Sequence, residues 1–182
     1  MIKKMILPFL LMFVLHISNA QPAPSPAEEI MKEAYATAKK ESKKVFVIFH
    51  ASWCGWCRKM DTSMNDASCK KMFDDNFVIR HLTVFESKGK ENLENPGALD
   101  MLTKYKGEKM GIPFWLVFDA EGKLLADAKI RPAGAGPEAE GENCGCPATK
   151  EEVGYFIEVL KKTTSLNEKE LEIISARYSK NN

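Results

Sequence analysis

The sequence lacks an excess of charge of either sign. Its 182 residues carry 26 Lys and Arg against 25 Asp and Glu, a formal net charge of +1 at pH 7. Because the charges are interspersed, no basic patch indicates binding to nucleic acid or to an anionic membrane surface. We therefore expect no nucleic-acid partner. The chain also has no internal repeat, and its length is enough to bury one good core.

Long hydrophobic runs are scarce as well. The longest, residues 5–17, follows two lysines and precedes small residues that end at Ala20. It is shorter than the ~20 residues of a membrane span. We interpret residues 1–20 as a signal peptide cleaved after Ala20, which predicts a periplasmic or secreted protein without a stable membrane anchor. The alternative, an uncleaved anchor helix, is disfavoured by Pro8 and His16.

Only five cysteines are present, and two of them form a motif. The tetrapeptide Cys54-Gly55-Trp56-Cys57 follows the apolar run of residues 45–49, which is typical of a buried strand. A strand leading into a helix places Cys54 at the helix N-terminus, where unpaired amides and the macrodipole favour a thiolate. Since the thiolate is the form that attacks disulfides, the motif predicts redox chemistry.

The same two cysteines also have interpretations without redox activity. They could form an inert disulfide, or half of a zinc site completed by Cys144 and Cys146. His50 could tune Cys54 or join a copper site with the thiols, or it could be a partly buried residue at a strand end. His81 lies within a predicted strand, where we expect a hydrogen-bond partner rather than catalysis. We expect no cofactor and no bound metal ion.

The remaining cysteines lie outside the motif. Cys69 shares a predicted helical face with Met72 and Phe73, which indicates a small buried apolar residue rather than a partner for the other cysteines. Cys144 and Cys146 lie in the Gly- and Pro-rich segment 131–148, which we interpret as a mobile loop. A disulfide between residues two apart would be strained and easily reduced. They are a possible second redox pair that exchanges electrons with Cys54 and Cys57, or else a disulfide that only stabilises the loop.

The order of predicted elements indicates a single α/β domain over residues 27–182, preceded by a proline-rich lead-in at 21–26. Helices and strands alternate through the first half, and a strand opened by proline then turns into a hairpin. Capping boxes at Thr149 with Glu152 and at Asn167 with Glu170 predict two closing helices. This order predicts a mixed sheet with helices on both sides.

The chain resembles the thioredoxin superfamily over roughly residues 27–163. A Trp-Cys-Gly-Trp-Cys run, residues 53–57, follows the first core strand. A strand beginning Ile112-Pro113-Phe114 comes where the superfamily has its cis-proline, and a glycine-turned hairpin and a helix come after it. The run from residue 50 to residue 60 is similar to exported thioredoxin-like proteins related to disulfide reductase domains.

The resemblance implies a thioredoxin-like fold, a central mixed β-sheet flanked by helices, to which this chain adds a C-terminal helix. Cys54 would be the nucleophile and Cys57 the resolving thiol, without a cofactor. Four residues would bind substrate beside the sulfurs: Trp53, Trp56, Ile112 and Pro113, the last in the cis form. One departure is Ile48, which occupies the position of the superfamily's buried Asp, so water or another group must take the proton of the resolving thiol.

The implied function is an exported thiol–disulfide oxidoreductase that reduces protein disulfides through a mixed disulfide. Its partners would be disulfide-containing proteins and a thiol protein that donates or accepts electrons. A disulfide oxidase or isomerase is the alternative within the same class. A thiol-based metal-binding module, or a redox-inert module that holds substrate, is the alternative of another class.

Overall fold

The computed structural model describes residues 23–136 and 139–182. The signal peptide predicted for residues 1–20 and the start of the predicted lead-in lie outside the described residues. In the part of the chain that is described, no helix is long and apolar enough to cross a membrane.

Six α-helices and six strands make up the described chain. The helices are α1 (Ala27–Glu41), α2 (Gly55–Met64), α3 (Lys70–Asn76), α4 (Ala98–Lys104), α5 (Lys150–Thr163) and α6 (Glu168–Tyr178). The strands are β1 (Lys44–His50), β2 (Phe77–Thr83), β3 (Phe114–Phe118), β4 (Leu124–Asp127), β5 (Lys129–Ile130) and β6 (Glu142–Asn143). Short 3-10 turns cover Glu91–Leu93 and Ser179–Asn181. The capping boxes predicted for the two closing helices are confirmed, at the starts of α5 and α6. A third, expected from Ser25 and Glu28, is wrong, because Pro26 is the N-cap residue of α1 and makes no side-chain cap hydrogen bond.

The main sheet has four strands in the order β2-β1-β3-β4. β1 pairs in parallel with β2 and antiparallel with β3, and β3 pairs antiparallel with β4. The predicted mixed sheet flanked by helices is therefore confirmed, with α6 as the additional helix. The central strands β1 and β3 are apolar without alternation, because helices cover both of their faces.

Most described residues of the segment 131–148 lie outside helices and strands, in agreement with the predicted loop, but its C-terminal part packs against the core. Its residues Glu142–Asn143 form β6, which pairs with β5 in a small two-stranded sheet. Cys144 and Cys146 are 2% and 5% exposed and belong to the main hydrophobic core. The cysteines are held inward because the amide of Cys144 donates to the carbonyl of Ala128 at 2.7 Å. The indole of Trp115 also donates to the carbonyl of Gly145 at 2.9 Å.

Candidate active site

The Cys54–Cys57 disulfide lies at the start of α2, directly after β1. The Cα atoms of the two cysteines are 5.3 Å apart. Cys54 is the N-cap residue of α2, and its sulfur accepts a hydrogen bond from the backbone N–H of Cys57 at 3.1 Å. When the disulfide is reduced, this amide and the positive end of the helix dipole favour negative charge on the Cys54 sulfur.

The residues that lead into β3 contact the same disulfide. The Ile112–Pro113 peptide bond is cis. The carbonyl oxygen of Ile112 lies 3.7 Å from the Cys54 sulfur, and the Ile112 side chain packs against the small cluster of Ala51 and the two cysteines. The fold therefore brings Ile112 and Pro113 to the redox motif, although they are far from it in sequence.

Two tryptophans beside the disulfide are largely exposed. Trp53 is 53% exposed, and its indole donates to the carbonyl oxygen of Phe85 at 2.7 Å. Trp56 is 49% exposed, with the Lys59 ammonium 4.3 Å from its ring centroid. Exposed aromatic rings of this size offer apolar contact area to a protein partner.

Cys144 and Cys146 are free thiols in the structure. Neither is disulfide-bonded. The Cys144 thiol donates to the carbonyl oxygen of Glu152 at 3.5 Å, and the Cys146 sulfur accepts from the amide of Asn181 at 3.5 Å. Burial, more than any other cause, raises the pKa of both thiols, for Cys146 to about 12. Both are therefore protonated at neutral pH.

A group of polar residues links α2 to the strands β1 and β2. His81 Nε2 is hydrogen-bonded to Asp61 Oδ1 at 2.7 Å, so His81 has the partner that we expected. The ring centroids of His81 and His50 are 5.1 Å apart, and His50 Nε2 is 3.2 Å from Thr83 Oγ1. Burial, followed by the electrostatic effect of His81, lowers the pKa of His50. His50 is partly buried at the end of β1, in agreement with its interpretation as a partly buried residue at a strand end.

Two further residues that hold the site were not found from the sequence. The carboxylate of Glu86 accepts from the backbone N–H of Ser52 at 2.6 Å and from its hydroxyl at 2.7 Å, which fixes the residues before Trp53. The side-chain amide of Asn143 lies 3.1 Å from the carbonyl oxygens of both Met110 and Pro113. Neither residue stands in a motif, so the sequence carries no local signal for it.

Cys69 is fully buried, as its predicted helical face indicates. Across residues 23–136 and 139–182, no group of three or more His, Cys, Asp or Glu side chains is placed to hold a metal ion.

Residues 27–120, more than half of the chain, match a thioredoxin-like family. No curated protein sequence matches the chain. Among solved structures, the disulphide isomerase of Xylella fastidiosa Temecula1 is 24% identical over 59% of this chain and 80% of that one, with a TM-score of 0.47. A DsbH oxidoreductase is 22% identical over 81% of this chain and 92% of that one, with a TM-score of 0.47. The DsbD C-terminal domain of Neisseria meningitidis is 16% identical over 78% of this chain and 99% of that one, with a TM-score of 0.45.

The family match spans the redox motif and ends after β3, the strand that follows the cis-proline. The chain thus belongs to the thioredoxin-like family.

Proposed function

We propose that this protein is an exported thiol–disulfide oxidoreductase that reduces protein disulfides through Cys54 and Cys57. The observation that carries the proposal is the position of Cys54 at the N-cap of α2, with the Cys57 amide donating to its sulfur. A thiolate held in this way is a nucleophile at neutral pH. The family of the chain supports the same chemistry.

The reaction proceeds by two exchanges from the reduced protein. The Cys54 thiolate attacks one sulfur of the substrate disulfide, which forms a mixed disulfide and releases the other substrate sulfur as a thiolate. Cys57, as a thiolate, then attacks the Cys54 sulfur and displaces the second substrate thiolate. Two electrons pass to the substrate, and the protein is left with the Cys54–Cys57 disulfide that the structure contains.

The surroundings of the disulfide suit an extended protein substrate. The backbone at Ile112 lies beside the Cys54 sulfur and is available for strand-like pairing with substrate. Trp53 and Trp56 flank the motif and offer apolar contact area. We assign these residues, with Pro113, to substrate binding.

The reducing direction and the export are supported by the sequence. The motif region is similar to exported proteins related to disulfide reductase domains, and residues 1–20 have the composition of a signal peptide. Because the compartments outside the cytosol are oxidising, a reductase there needs a thiol protein that returns electrons to Cys54 and Cys57.

The activity is tested by following the reduction of a disulfide-bonded protein with dithiothreitol as electron source. We expect catalysis by the native chain, none by Cys54→Ser, and native rates for the control Cys69→Ala. Equal rates for native protein and Cys54→Ser would contradict the proposal. Metal bound stoichiometrically and lost in Cys54→Ser would instead support a metal-binding module.

The direction is tested by the reduction potential of the Cys54–Cys57 pair, measured by equilibration with glutathione. A reductase is expected near −270 mV or below, whereas about −180 to −120 mV would indicate an isomerase or an oxidase. Export is tested by fractionating cells that express the full chain and sequencing the N-terminus of the product. We expect a product outside the cytosol that begins at Gln21; a cytosolic product that retains residue 1 would refute export.

A further inference from the structure

The second exchange requires that Cys57 lose its proton. Cys57 is 2% exposed, so bulk water has little access to its thiol. Ile48 of β1, which is also buried, cannot accept a proton. The Cys57 proton must therefore pass to another side chain near it.

Asp61 is the carboxylate on α2 that is suited to this role. It is the only acidic residue in the described helix Gly55–Met64. Cys57 and Asp61 are four residues apart, so they lie on successive turns of one helix face with Cβ atoms ~5–6 Å apart. Asp61 Oδ1 is bonded to His81, and no hydrogen bond of the described residues engages Oδ2.

His81 enters this region from the sheet. In the parallel register of β1 and β2, His81 is the partner of Ile48, so the two side chains leave the sheet on the same face. The 2.7 Å bond from His81 to Asp61 identifies this face as the one that α2 covers. The imidazole thus stands beside the apolar position at Ile48, and it is partly open to solvent.

We propose that the hydrogen-bonded pair of Asp61 and His81 accepts the proton of Cys57 during the resolving exchange. The inference rests on the proposed function, because it concerns the second step of that reaction. The Cys57 S–H bond breaks and its proton passes to the pair at Asp61 Oδ2. The Cys57 sulfur then attacks the Cys54 sulfur, the bond from Cys54 to substrate breaks, and the departing substrate thiolate takes up a proton from the pair or from solvent.

Several titratable groups face the pair and contribute to its pH dependence. His50 contacts the His81 ring from the end of β1, and Glu86 lies within electrostatic range of His50. Cys146 and Tyr178 are also within electrostatic range of Asp61. His50 contacts His81, and the hydrogen bond to Asp61 comes from His81. We therefore expect His50 to modulate the proton transfer and not to replace the pair.

The two exchanges can be timed separately in single-turnover stopped-flow experiments on the reduced full chain. A peptide disulfide with a fluorescent leaving group reports the attack by Cys54, and release of the second half reports resolution by Cys57. For Asp61→Asn and His81→Gln we expect resolution to slow by about a hundredfold at pH 7, with attack unchanged within about twofold. The matched control is Asp74→Asn, which removes a carboxylate from an exposed ion pair with Lys70 on α3.

A pH series separates proton transfer from a structural role. In the variants, resolution should rise about tenfold per pH unit toward alkaline pH, as hydroxide replaces the pair, while the native rate rises less steeply. Native-like resolution in both variants would overturn the inference and leave the proposed function standing. Slowing of both exchanges by the same factor would also overturn it, since that indicates a structural effect. If the native chain forms no mixed disulfide, the proposed function fails first and the inference with it.

Discussion

The two pairs of cysteines are similarly buried, but Cys54 and Cys144 make different hydrogen bonds to the backbone. Cys54 and Cys57 are each 2% exposed, and Cys144 and Cys146 are 2% and 5% exposed. The Cys54 sulfur receives a backbone N–H at a helix start, whereas the Cys144 thiol points at a backbone carbonyl oxygen. An N–H stabilises a thiolate and a carbonyl oxygen stabilises a thiol. Burial alone therefore does not identify the reactive pair; the position of Cys54 at the start of α2, with the Cys57 N–H on its sulfur, does.

The largest expected difference between the pairs is in catalysis. Cys54→Ser should abolish disulfide reduction, because a serine hydroxyl is not ionised at neutral pH and does not attack disulfides. Cys144→Ser should keep the native rate within about twofold. Turnover of a disulfide-bonded protein measures both variants. A comparable loss of activity in the two would contradict the claim that only the first pair is catalytic.

Replacing both buried thiols should affect stability and leave catalysis alone. Cys144→Ser with Cys146→Ser places two hydroxyls in the core, each at a cost of about 1–3 kcal/mol in the free energy of unfolding. Urea denaturation measures this loss, and Cys69→Ser is a control for a single hydroxyl placed in the core. A changed turnover rate or active-site potential would instead support the second redox pair predicted from the sequence.

Stability at alkaline pH should show that Cys146 is a buried, protonated thiol. The pKa of Cys146 is raised by burial from 9.0 to about 12. Above pH 9 the unfolded chain loses this proton while the folded protein keeps it, so the stability present below pH 9 is lost as the pH rises toward 12. The slope is about 1.4 kcal/mol per pH unit for one such thiol. Urea denaturation at several pH values should give a shallower slope in Cys146→Ala, and identical slopes would contradict the account.

The smallest expected effect concerns the contact between the second pair and α2. Asn181 donates to the Cys146 sulfur and to the Pro147 carbonyl, and it accepts from Ser63 on α2. Asn181→Ala should cost about 1 kcal/mol of stability, because the buried Pro147 carbonyl loses its partner. The Cys54–Cys57 potential should stay unchanged in a glutathione titration. A shifted potential would indicate that the pairs are coupled through α2.

Local signals in the sequence were sufficient for the helices, for the strands of the main sheet and for the redox motif, but not for β5 and β6. The spacing of Cys54 and Cys57 after an apolar strand predicted a disulfide at a helix start, and the capping boxes of α5 and α6 lie where the sequence places them. Each of these features depends on residues within about one helical turn of one another. The resemblance to the thioredoxin superfamily then supplied the distant residues Ile112 and Pro113.

Features that depend on long-range register were out of reach. The contact of His81 with Asp61 requires both the pairing of β2 with β1 and the position of α2 over that face. Composition also did not predict that Cys144 and Cys146 are buried, because glycine and proline are typical of exposed loops. Two residues outside the segment 131–148 anchor it to the core: Ala128 accepts from the amide of Cys144, and Trp115 donates to the carbonyl of Gly145.

The most direct test of the central claim is to trap the intermediate on Cys57→Ala. Incubation of this variant with a disulfide-bonded protein, followed by peptide mapping under non-reducing conditions, identifies the cysteine that carries the mixed disulfide. The account predicts a stable mixed disulfide on Cys54, with Cys69, Cys144 and Cys146 unmodified. A mixed disulfide on one of the buried thiols, or none at all, would contradict it.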